Sequence, residues 1–138
     1  MSKVVSLRFQ EKQFARLRRL ARRLGRSPSE TGALLVEEAL RRSEFASIDF
    51  RDSPVGRQAY VTGTGLAVWE VVLVARAYAL DAVQTAGHLA WPVPRVQAAL
   101  NYAAAYPDEV NAALEDHDAT DLEALRRLVP QTTPFVVP

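Results

Sequence analysis

The chain opens on an alternation. Between Lys3 and Phe9, Val5, Leu7 and Phe9 fall on one side and Val4, Ser6 and Arg8 on the other. That period of two predicts a short half-buried strand. From Glu11 the period lengthens: Phe14, Leu17, Leu20, Ala21 and Leu24 make a helical stripe with arginines elsewhere, and Gly25 is placed to close the helix. The stretch "GRSPSE" then specifies a second helix start, with Ser27 as N-cap, Pro28 at the first helical position and Glu30 where a capping box wants its acid. Leu35, Val36, Ala39 and Leu40 form the apolar side of this helix, and Arg41 and Arg42 suit its C-terminus, where the dipole favours cations. A lone strand leaves its backbone donors without partners. The pattern therefore predicts pairing with a second copy, two units forming an antiparallel ribbon over four helices.

Residues 43–60 contain the turn formers Asp52, Ser53, Pro54 and Gly56 and read as a linker. "VTGTG" reads as a turn, and "AVWEVVLVARAYAL" as an apolar helix with Val68, Val71, Val72, Ala75, Tyr78 and Ala79 inward. "DAVQTAGH" begins with a cap from Asp81 and Gln84. "PRVQAALNYAAAY" is a helix with Val96, Ala99, Leu100 and Ala103 toward the core. "PDEVNAAL" and "TDLEALRRL" are two more, with "DHD" at 116–118 as a loop between them. Trp69 and Trp91 are expected in the core. The tail "VPQTTPFVVP" cannot be helical.

Charge divides the chain further. Residues 1–47 hold eleven Lys/Arg against five acids, a balance of +6, whereas residues 48–138 stand at −5, within a total of +1. A basic first third suggests an anionic partner, with nucleic acid the commonest, although an arginine-rich solvated face has the same composition. The 138 residues lack cysteine, which excludes a disulfide framework and thiol chemistry and fits a reducing cytoplasm. Glu70 and Arg76 interrupt the longest apolar run, so no membrane span is expected. Lys3, Arg8 and Lys12 break any signal-peptide core. His88 and His117 stand apart, "GTG" lacks the rest of a dinucleotide fingerprint, and no Ser/His/Asp set has a recognisable context. No enzyme, cofactor or metal site is expected.

The strand, arginine-rich helix, "GRS" turn and helix of residues 3–42 resemble a ribbon-helix-helix DNA-binding domain of the Arc and MetJ repressor type. The resemblance implies that the outward strand residues Val4, Ser6 and Arg8 read base edges. Arg8 suits guanine, Ser6 is an adaptable donor or acceptor, and Val4 suits a thymine methyl. It also implies that the second helix N-terminus meets a phosphate, with Lys3, Arg26, Ser27 and Ser29 as the phosphate-binding set.

"GRQAYVTGTGLAVWEVV" and the helices after it are similar to the small bacterial domain of unknown function numbered 433, matching at Gly56, Arg57, Gly63, Thr64, Val68, Ala99, Leu100 and Tyr102. Members of that family are often VapB-like antitoxins, found beside toxins with a PIN-like nuclease fold. Gly65 stands where the family has an arginine, and this half is acidic, which suits a basic protein better than DNA. Phe135 and Val136 in the tail are candidates for a toxin groove.

The expected fold is thus mainly α. It comprises a dimeric ribbon-helix-helix over residues 1–45, a three- to four-helix winged or homeodomain-like helix-turn-helix over 46–115, and a C-terminal helix and tail over 116–138. The expected function is a cytoplasmic DNA-binding antitoxin and autorepressor, its partners an operator duplex, a second copy and a small toxin. The alternatives are a plain dimeric regulator whose second domain serves oligomerisation or ligand sensing, and an adaptor whose basic helix binds RNA or an acidic protein.

Overall fold

The N-terminal alternation does not become a strand. In the computed structural model, which describes residues 2–128, residues 2–10 carry no secondary structure. Val5 and Leu7, expected on the covered side, are 81% and 64% exposed. The expected architecture, with a single N-terminal strand followed by helices, is therefore corrected. Six helices accompany one two-stranded antiparallel sheet, and both strands lie in the stretch read as a linker. The physical reason is the ladder. β1 (Ile48–Ser53) and β2 (Gly56–Val61) pair with each other across a two-residue connection, in a register running from Ser53 opposite Gly56 to Ile48 opposite Val61. No strand of the described chain is left to receive residues 3–9.

The hairpin turn is tied locally. The Ser53 hydroxyl donates to the Gly56 carbonyl at 2.7 Å, and Gly56 takes a φ of +112°, a region where a side chain would be strained.

Helix α1 (Glu11–Leu24) ends as its sequence predicts: Gly25 adopts the left-handed conformation and its N–H bonds the carbonyls of Ala21 and Arg22. Helix α2 (Pro28–Glu44) begins on Ser27, whose hydroxyl accepts from the Glu30 N–H at 3.1 Å. Helix α3 (Val68–Arg76) stops short of the expected Leu80. Ala79 and Leu80 both take positive φ, and the Leu80 N–H bonds back to the Ala75 carbonyl at 2.8 Å. Asp81 then caps helix α4 (Ala82–Leu89), accepting from the Gln84 N–H at 2.8 Å. Asp81→Ala is expected to cost about 1 kcal/mol, read as a lower urea midpoint at unchanged m-value. Helix α5 (Val93–Ala105) leads into α6 (Pro107–Leu128). α6 runs unbroken through Asp116, His117 and Asp118, so "DHD" is helical and not a loop.

One core joins these elements. Ile48 and Val61 from the hairpin meet Val68, Val71 and Val72 of α3, Ala86 of α4, Val96, Ala99 and Tyr102 of α5, and Val110 and Leu114 of α6. Trp69 and Trp91 pack at its edge, half-buried. Burying each aliphatic side chain in such a core is worth about 1.5–3 kcal/mol. α1 stands outside it: it packs on α2, and Ala21 is its one buried residue.

Candidate nucleic-acid interface

The anion-attracting residues fall into two sets. Lys3, Val4, Ser6 and Arg8 all project from the exposed segment before α1. Arg26, Ser27 and Ser29, also exposed, sit at the corner between α1 and α2. The structure does not bring these sets together within one chain: they lie at opposite ends of α1, a helix of 14 residues and therefore about 21 Å long.

The surface between them is basic. At 100° per residue, Arg18, Arg19, Arg22 and Arg23 lie opposite the stripe of Leu17, Leu20 and Leu24 that faces α2. Arg23 is ion-paired with Asp52 at 3.3 Å. Arg18, Arg19 and Arg22 have no ion pair among the described residues. At the corner, the Ser27 hydroxyl is engaged by the Glu30 N–H. Pro28 has no N–H, so the donor this helix start can offer an anion is the N–H of Ser29, reinforced by the helix dipole and by Arg26.

The basic segment is fastened to the core by two ion-pair clusters. Glu38 of α2 is 3% exposed, and both its oxygens accept from Arg57 of β2, at 2.7 and 2.9 Å; Arg57 also reaches Asp52 at 3.1 Å. These bonds raise the Arg57 pKa above the ordinary arginine value against the opposing effect of burial. One turn further along α2, Arg41 donates to Glu37 at 2.9 Å, to the Tyr102 hydroxyl at 2.8 Å and to Glu109 at 3.0 Å. Burial opposes the Arg41 charge, yet these three bonds outweigh it and its pKa is also raised. Tyr102 donates in turn to Glu109 at 2.6 Å. Burial, then that bond, pushes its phenol up. The Arg41 guanidinium lies 3.8 Å from the centroid of Tyr106, a close cation–π contact.

The sequence reading missed this fastening. Arg57 appeared there only as a family match, and Glu38 and Arg41 as ordinary helix residues. Phe135 and Val136 lie outside the described residues. His117 packs against Trp69, ring centroids 5.0 Å apart, and pairs with Asp121 at 3.1 Å. No three His, Cys, Asp or Glu side chains among the described residues are grouped to hold a metal ion. No described helix is long and apolar enough to cross a membrane. No protein-family model, curated protein or solved structure matches the chain.

Proposed function

We propose that this protein is a DNA-binding antitoxin and autorepressor that holds duplex DNA through its basic N-terminal third and a small toxin through its acidic second half. The observation that supports this reading is the spatial separation of charge. The arginines of α1 point away from the core, and α6 carries seven of the eleven acids of residues 48–138. A surface of the first kind attracts a polyanion, and one of the second repels it and suits a basic protein. The exposed Val5, Leu7, Phe9 and Phe14 are apolar surface that a second copy would cover, which favours a homodimer as the working unit.

The test compares two variants on duplexes selected from a random pool. Arg8→Ala is expected to relax the selected sequence, with a loss of about 1–3 kcal/mol on the preferred duplex. Ser27→Ala is expected to weaken all duplexes alike. If Arg8→Ala leaves both affinity and selected sequence unchanged, base reading by this segment is wrong. Co-purification of the native chain separates antitoxin from plain regulator: a stoichiometric basic protein partner is expected for the first and not for the second.

A further inference from the structure

A cavity of about 390 Å³ opens between α2, the hairpin and α6. Its size is that of small-molecule sites, and so is its build, an apolar floor with a few convergent polar groups. Phe50, Val68, Trp69 and Val110 form the floor. Val68 and Val110 are core residues, so the floor is held rigidly rather than by loops.

The walls are charged, and the charge is unequal. Four carboxylates, Glu37, Glu38, Glu109 and Asp116, line the cavity against two guanidinium groups, those of Arg41 and Arg57. Both arginines are already committed. Arg57 is held by Glu38 and Asp52, and Arg41 by Glu37 and Glu109, so neither has a charge left to neutralise an anionic guest. Asp116 makes no hydrogen bond or ion pair among the described residues, and Glu37 keeps one oxygen free of such bonds. The unbalanced charge is therefore negative, and it sits at the mouth above an aromatic floor. Trp69 adds a ring whose face attracts cations.

We propose that this cavity binds a small organic cation with an apolar body, an arylalkyl amine or guanidine. Its hydrocarbon rests on Phe50, Val68 and Trp69, and its charged head lies between Asp116 and Glu37. This goes beyond nucleic-acid reading and stands or falls separately from it, because no residue proposed to meet DNA lines the cavity.

The full chain is titrated with three probes of one shape: 4-phenylbutylamine, 4-phenylbutanol and 4-phenylbutyrate. Calorimetry gives affinity, and amide and indole NMR shifts give location. The amine is expected to bind about tenfold more tightly than the alcohol, with the carboxylate weaker still. Shifts are expected at the Trp69 indole and at Ala112 and Ala113 on the cavity wall. Asp116→Asn, an exposed position with no partner to lose, is expected to bring the amine down toward the alcohol while leaving the alcohol unchanged. Equal affinity for the three probes, no binding of the amine, or shifts confined to the α1–α2 groove at Leu17 and Leu20 would each overturn the assignment.

Discussion

Replacing Arg57 by alanine is expected to destabilise the fold by about 3–5 kcal/mol, the range for removing one partner of a buried ion pair. Glu38 is 3% exposed and takes both its bonds from Arg57, so the variant leaves a carboxylate with neither water nor a countercharge. Against a typical total stability of about 5–15 kcal/mol this is a large fraction. It corresponds to a fall in Tm of roughly 10–20 °C for a domain of this size. The control is the double variant Glu38→Leu with Arg57→Leu, which removes the orphan along with its partner and is expected to recover most of the loss. Differential scanning calorimetry on the three proteins checks both. If Arg57→Ala melts within 2–3 °C of the parent, roughly the effect of an ordinary surface change, the carboxylate is solvated in solution and the pair is not buried there.

The second large effect is in binding. A protein that neutralises six or more phosphates loses about a thousandfold or more in affinity between 50 and 200 mM salt. Such a fall is expected here for duplex DNA of any sequence, given two copies each presenting Lys3, Arg8, Arg26 and the outward arginines of α1. Arg18, Arg19 and Arg22 have no ion pair among the described residues, so changing all three to glutamine should cost the fold little. If the α1 face meets phosphate, the slope of log affinity on log salt should flatten by about 1 for each contact removed per copy. An unchanged slope would make that face a solvated one. A flat slope in the parent would remove DNA binding by charge altogether.

The parts of the fold legible in the sequence are those decided locally. Gly25, Ser27 and Asp81 act within one turn of themselves, and the structure shows each terminus where those residues put it. The inward faces of α3 and α5 were equally plain, because Val68, Val71, Val72 and Ala75, and Val96 and Ala99, repeat at helical spacing. The hairpin was hidden by its own turn. Asp52, Ser53, Pro54 and Gly56 outweigh the shorter alternation of Ile48 with Phe50 and of Ala59 with Val61, which was the available signal. Residues 3–9 show the opposite failure. A period of two says that a face is built for burial and does not say what buries it, and nothing in the described chain does. The Thr120 and Glu123 pattern imitates a helix start, but a capping pattern does not itself break a helix whose backbone bonds are continuous. Of the candidate site, the charged residues could be found by counting. Glu38, Arg41 and Arg57 could not, because their partners lie 19 to 68 positions away.

The two clusters on α2 have a consequence for inheritance. Domains are usually exchanged between genes by cutting where few contacts cross, and the short stretch after α2 looks like such a place. A cut there would part Glu38 from Arg57 and Arg41 from Tyr102 and Glu109 in one stroke. Either fragment would carry charges meant for the other, so a recombinant that kept one half and replaced the other would begin life destabilised. The two halves should therefore travel through evolution as a single heritable unit, with changes in Glu38 and Arg57 arising together.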